Sequence, residues 1–211
     1  MGALVLACGV AASRPNWTAV PARPARADLD PLLGTGPERV VVVGTDADLA
    51  AVVLRLLRTE RLELPVGFVP VHRAGSAVAR LWRLPAGRDA AMALATGGRP
   101  RALPLVRDDS GGVLLGRGVT GPVRGEAYCD DQLALRGRAR RIEVRPGPAG
   151  VHGLVVLGGL ARRPASFDGR AFQLGCEPAR VTVDGVEHPR PVRRWTWYRH
   201  TEDLCAVALP D

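Results

Sequence analysis

Four consecutive valines, Val40 to Val43, stop at Gly44-Thr45-Asp46-Ala47-Asp48, and this junction limits what the chain can become more than any other stretch. An unbroken run of β-branched residues suits a buried strand, and Thr and Asp directly behind a glycine are helix-starting residues. Beyond the turn, Leu49, Val52, Val53, Leu56 and Leu57 recur at one-face helical spacing, while Arg55, Arg58 and Glu60 fall largely elsewhere on the wheel. The pattern is strand, tight turn, helix. Such a turn sets unpaired backbone N–H groups and the positive end of a helix dipole at the C-terminal edge of a sheet, where a phosphate can be held. An ordinary strand-to-helix connection of an α/β domain reads the same way.

The flanking sequence extends this unit in both directions. Ala3 to Cys8 is a short apolar run suited to a first strand. Residues 13 to 37 then hold Pro15, Pro21, Pro24, Pro31 and Pro37, which forbids a long helix and predicts an irregular or mobile crossover. Leu64 to Val71 is a second buried strand bounded by prolines. His72-Arg73-Ala74-Gly75-Ser76 leads from it into a short helix, Ala77 to Leu84, that Pro85 ends. Another helix, Asp89 to Ala95, stops at Gly97-Gly98. Two strand-loop-helix units in succession imply a parallel sheet with both loops opening at one edge, where ligands of open α/β sheets bind. From Arg101 the pattern changes to short apolar runs, at 102–106, 113–119, 141–145, 153–157, 171–176, 180–183, 194–198 and 204–209. Each is bounded by Gly, Pro or Asp. This reads as an antiparallel sandwich or partial barrel. The expected architecture is an α/β N-terminal lobe, residues 1–100, followed by an all-β C-terminal lobe, residues 101–211.

Charge excludes some chemistry. The net charge of +8 comes from arginine alone, because the chain contains no lysine; a Walker-type phosphate loop and a Schiff-base enzyme, which need a lysine amine, are both ruled out. The arginines are scattered, with short clusters at Arg138-Arg140-Arg141 and Arg190-Arg193-Arg194 that suit a solvated face. Arg193 to His200 mixes aromatics and cations as a base-stacking strip would. However, Trp195 and Trp197 share one face of a strand and fit a sheet core, so no nucleic-acid partner is expected. Cys8, Cys129, Cys176 and Cys205 show no metal-ligand spacing and are expected as free thiols in a reducing compartment. No apolar run is long enough for a transmembrane span, and a soluble, cytoplasmic protein is expected.

Three segments, in order, carry a family resemblance. The valine strand with Gly44-Thr45-Asp46-Ala47-Asp48 resembles the strand and G-G-D-G-T signature of the diacylglycerol kinase catalytic-domain superfamily, which includes bacterial lipid kinases and sphingosine kinases and is related to NAD kinases. Val69-Pro70 with Ser76-Ala77-Val78-Ala79-Arg80-Leu81-Trp82-Arg83-Leu84-Pro85 is similar to its P-x-G-T-G-N-D-x-A-R segment. Val181-Thr182-Val183-Asp184-Gly185-Val186-Glu187 is similar to its late D-G-E element. The departures are as specific as the matches. Gly44 and Asp46 are kept, but Thr45 and Ala47 stand where the family has glycines and Asp48 where it has threonine. Ser76-Ala77 replaces an Asn-Asp pair, and Val186 spreads the last element. Side chains at such a turn narrow the backbone's approach to phosphate, and a carboxylate at Asp48 repels it unless Mg²⁺ intervenes.

The resemblance implies a two-lobed, diacylglycerol kinase-like and NAD kinase-like architecture, and, if the chain is active, transfer of a phosphoryl group from ATP·Mg²⁺ to a hydroxyl acceptor such as a lipid. It assigns Asp46, Asp184 and Glu187 to catalysis, Asp46 and Asp184 to Mg²⁺, and Gly44, Thr45, Gly75, Ser76 and Arg80 to nucleotide contact, with Arg73 also able to offset phosphate charge. Each has a structural alternative. Asp46 can be a helix-capping residue, Arg80 a surface or packing arginine, and Asp184-Gly185 a hairpin turn. The degraded glycine turn equally suits a catalytically inactive, kinase-fold protein acting as a binding or scaffolding subunit. An exposed strand edge in the β lobe could pair two copies as a homodimer.

Overall fold

The computed structural model describes residues 2–9, 14–158 and 163–210. The chain divides into two compact units, Met1–Leu103 with Asp203–Asp211, and Pro104–Glu202. The lobe expected to end at residue 211 therefore stops at Glu202. The reason lies in the last strand, whose end pairs Ala206 with Val66 and whose following residues bond on, from the Val207 amide to the Val66 carbonyl and from the Leu209 amide to the Trp82 carbonyl.

In the first unit, β1 (Ala3–Cys8), β2 (Trp17–Val20), β3 (Arg39–Gly44) and β4 (Val66–Pro70) form a parallel sheet in the order β2-β1-β3-β4. The valine strand sits at its centre, with Val41 between Val5 and Gly67. Its four valines are fully buried, as a parallel strand covered on both faces requires. Among the described residues, four α-helices complete the unit: α1 (Arg26–Leu33), α2 (Asp46–Arg58), α3 (Ala77–Leu81) and α4 (Arg88–Gly97). The α2 helix buries Leu49, Val52, Val53 and Leu56 of the stripe read from sequence, and its fifth residue, Leu57, is half-buried. Gly67 lets α4 lie directly on the sheet, since a Cβ there would meet the Ala95 carbonyl oxygen at 2.5 Å.

The proline-rich segment corrects one expectation. Ser13 lies outside the described residues, but from Trp17 the segment forms β2 and then α1, a helix of eight residues that contains Pro31. The ring costs the helix one internal hydrogen bond. Burial of Leu29 and Leu33, with an Arg55–Asp30 ion pair to α2, offsets that loss.

β5 (Arg101–Asp108) leaves the first unit and, by Val106, pairs with β6 (Val113–Leu114). The second unit continues through β7 (Gly118–Thr120), β8 (Val123–Cys129), β9 (Gln132–Ala139), β10 (Arg141–Gly147), β11 (Gly150–Val156), β12 (Ala165–Gly169), β13 (Ala171–Ala179), β14 (Val181–Val183), β15 (Val186–Glu187) and β16 (Val192–Ala206). Within it, β16-β13-β8-β9 make one antiparallel sheet and β12-β11-β10-β7-β14-β15 another. Trp195 and Trp197 lie buried between them with Phe172, Leu174, Ile142 and Val151. Two glycines of the second sheet accept these rings. A Cβ on Gly153 would meet the Phe172 ring at 2.5 Å, and one on Gly118 the Trp197 indole at 2.8 Å.

β8, β9 and β12 were not foreseen, because their outward positions are charged or small and no continuous apolar run marks them. The single run expected at 113–119 is two strands with a break at Leu115-Gly116-Arg117. The amides of those three residues turn away from any ladder and donate to the Asp184 carboxylate, each at 2.8 Å. Asp184 itself sits in the β14–β15 hairpin with φ 48° and is buried. Replacing Asp184 by alanine orphans three buried donors at about 1 kcal/mol or more each. Urea denaturation of Asp184→Ala is expected to show a loss of about 3 kcal/mol; a loss below about 1 kcal/mol would mean that the carboxylate does not hold this loop.

Candidate functional site

The β3–α2 turn is held from inside. Thr45 is the N-cap of α2, its hydroxyl accepting from the Asp48 amide at 3.3 Å. Asp48 folds back and accepts from the Thr45 amide at 2.7 Å and the Thr45 hydroxyl at 2.8 Å. Its other oxygen accepts from the Arg23 amide at 2.6 Å. Asp48 is only 2% exposed, and it fills the space above Gly44, where a Cβ would come within 2.7 Å of the carboxylate. The glycine is therefore required, but to admit Asp48.

Asp46, one residue into α2, faces the start of α3. It accepts from the Ser76 hydroxyl, from the Ala77 amide at 2.7 Å and from the Val78 amide at 3.2 Å. Ser76, itself buried, caps α3 by accepting from the Ala79 amide at 2.9 Å. A carboxylate has about four lone-pair sites, and three on each aspartate are already filled.

The arginines expected near phosphate are engaged as well. Arg73 donates to the Leu84 carbonyl at 2.6 Å and to the Pro85 carbonyl at 3.0 Å, tying together the ends of the loop that contains α3. Arg80 donates to the Ala74 carbonyl at 3.0 Å from an exposed position. Gly75 is exposed, with open space where a Cβ would stand.

The first unit thus gathers Gly44, Thr45, Asp46, Gly75, Ser76 and Arg80 around its two loops. Asp184 and Glu187 belong to the second unit: Asp184 holds the 115–117 amides, and Glu187 is exposed and ion-paired with Arg180. Asp184-Gly185 does form the hairpin turn weighed from sequence. Among the described residues, no group of three or more His, Cys, Asp or Glu side chains is arranged to hold a metal ion. A Mg²⁺–triphosphate needs open carboxylate oxygens and free amides. The Thr45, Ala77 and Val78 amides all point at aspartates instead, so the residues of this turn do not fit that group. Sequence reading missed the Arg23 amide beneath Asp48, which comes from the proline-rich segment; the carboxylate at the N3 position of a helix was the available signal.

Cys8, at the end of β1, is the titratable neighbour of this turn. Burial, with the Asp48 charge as a lesser cause, pushes its thiol from the ordinary 9.0 up to about 12.

No protein-family model matches the chain, and no curated protein matches it by sequence. Solved structures do match. A diacylglycerol kinase from Bacillus anthracis str. Sterne aligns with a TM-score of 0.71 at 11% identity, over 99% of this chain and 97% of that one. An NAD kinase from Archaeoglobus fulgidus, solved in complex with ATP, gives 0.57 at 11% identity, over 97% and 93%. Yeast NADH kinase complexed with NADH gives 0.53 at 8% identity, over 100% and 84%. The chain is an α/β unit coupled to an antiparallel β unit. Its fold is the one that diacylglycerol kinases and NAD kinases share, as the sequence resemblance implied.

Two outcomes follow from this geometry. Asp46→Ala strands the Ser76 hydroxyl and two amides, and should lower stability by about 2 kcal/mol in urea, with Asp46→Asn losing less because one acceptor oxygen remains. For Cys8, a folded-state value above the unfolded one stabilises the protein fully below pH 9.0, and that contribution is lost as pH rises towards about 12. Chemical denaturation from pH 8 upward should show this decline, reduced in Cys8→Ala.

Proposed function

We propose that this chain is a non-catalytic protein of the diacylglycerol kinase and NAD kinase fold, serving as a binding or scaffolding subunit. One observation carries the reading: both carboxylates of the β3–α2 turn are engaged by the protein's own hydroxyls and amides, Asp48 from Thr45 and Arg23 and Asp46 from Ser76, Ala77 and Val78. Phosphoryl transfer depends on positioning and charge neutralisation at open groups. Here the cations Arg73 and Arg80 face backbone carbonyls, and the amides face carboxylates.

The other reading is ATP·Mg²⁺-dependent phosphorylation of a hydroxyl-bearing acceptor such as a lipid. Its support is the fold likeness, which includes an NAD kinase solved with ATP, together with Asp46 keeping its place in the turn. Thermal melting with ATP, ADP or NAD, each with and without Mg²⁺, separates the two, because a ligand that binds only the folded state raises the melting temperature. The non-catalytic reading expects no saturable shift that Asp46→Asn abolishes. A ligand present at a hundred times its Kd stabilises by about 2.7 kcal/mol, a shift of several degrees. Such a shift, absent in Asp46→Asn, would overturn the proposal in favour of the kinase.

A further inference from the structure

A cavity of about 870 Å³, lined by second-unit residues only, lies over the β16-β13-β8 sheet, and its lining includes Trp195 and Leu174 of the core beside His188. That volume lies within the range of small-molecule sites. Strand register sets out its floor. One row runs Thr196, Gln173, Tyr128 across the three strands, and the next runs Arg194, Gly175, Glu126. In the second row the charges do not pair across the sheet. Glu126 is held by Arg136 of the neighbouring strand β9, at 2.9 Å, and by the Tyr128 hydroxyl of its own strand, at 3.2 Å.

Between Glu126 and Arg194 lies Gly175, where an added Cβ would meet nothing within 4 Å. Among the described residues, the Arg194 guanidinium makes no hydrogen bond or ion pair, and the Gln173 amide and Thr196 hydroxyl beside it make no side-chain hydrogen bond. At the rim, Asp109 is an exposed carboxylate equally without a partner among the described residues. His188 closes one wall, its ring set edge-on against Trp195 at 5.1 Å. The cavity therefore presents a free guanidinium, a bare backbone floor beside a tyrosine ring, two uncommitted polar side chains, and a carboxylate on the opposite side of the charge balance.

We infer that this cavity is a binding site for a small organic anion: a ring bearing hydroxyl or amino donors and carrying one phosphate or carboxylate. The anion pairs with the Arg194 guanidinium, whose planar fork matches either group. The ring lies over Gly175 against Tyr128, where no side chain intervenes. Its donors meet the Asp109 carboxylate, the Gln173 amide oxygen and the Thr196 hydroxyl oxygen, so the ligand supplies both a negative charge for Arg194 and donors for these acceptors. Inorganic phosphate offers only the first, and a neutral sugar only the second. The inference goes beyond the proposed function, because none of its residues belongs to the β3–α2 turn.

Calorimetric titration of the full chain tests it with glucose 6-phosphate, glucuronate and AMP as ring anions, and glucose, adenosine and inorganic phosphate as controls. At least one ring anion is expected to bind about tenfold or more tightly than its neutral counterpart and than inorganic phosphate. The phosphate and carboxylate arms show which anion is preferred. Arg194→Ala and Gly175→Leu should each weaken that binding about tenfold or more at an unchanged melting midpoint, and Gln173→Ala, an exposed change of small structural effect, should weaken it too. Binding that survives both Arg194→Ala and Gly175→Leu would belong elsewhere in the chain and would overturn the inference. So would the absence of saturable binding by every ring anion up to about 1 mM.

Discussion

A buried carboxylate turned back onto its own turn governs the first unit. Asp48 satisfies the Thr45 amide and hydroxyl and reaches the Arg23 amide 25 residues away in sequence. It thereby joins the capped start of α2 to the segment that follows β2. A charge this deeply buried is tolerable only when fully hydrogen-bonded. Gly44 has no side chain because Asp48 takes its place, and the Cys8 thiol nearby stays protonated in part because Asp48 is negative. The features that make this turn look like a phosphate cradle, a glycine, a helix start and paired aspartates, are the parts of an internal lock.

The second unit repeats the device with different residues. Asp184 gathers the amides of Leu115, Gly116 and Arg117, breaking one expected strand in two while fixing the β14–β15 hairpin against the loop. In both units an aspartate satisfies backbone N–H groups that would otherwise be left without partners. The likeness to diacylglycerol kinases and NAD kinases is then a likeness of framework. The proposed loss of catalysis lies in a handful of side chains on that framework, which is how one fold comes to carry different functions.

Much of the framework was legible residue by residue. The valine run, the Leu49 to Leu56 stripe and the alternation of Trp195 and Trp197 each report a periodicity that burial imposes directly. Where outward positions carried charge, as at Arg124, Glu126, Arg136 and Arg138 of β8 and β9, the inward residues were too small or too scattered to mark the strands. The α1 helix was hidden by Pro31, because local propensity speaks against it and only the packing of Leu29 and Leu33 supports it. The candidate site was legible as a list of positions. The bonds that close it join residues such as Arg23 and Asp48, or Asp46 and Ser76, whose sequence separations give no local signal.

The sequence by itself determined that a buried parallel strand runs into a capped helix, that a β-rich half follows, and that lysine chemistry is absent, since each of these depends on residue type and short-range spacing. Only the tertiary structure decided whether the aspartates face outward to a ligand or inward to the chain. That choice rests on which distant amides fold to within hydrogen-bonding distance, and a carboxylate reads identically in sequence whether its partners are phosphate-bound metal ions or the protein's own backbone.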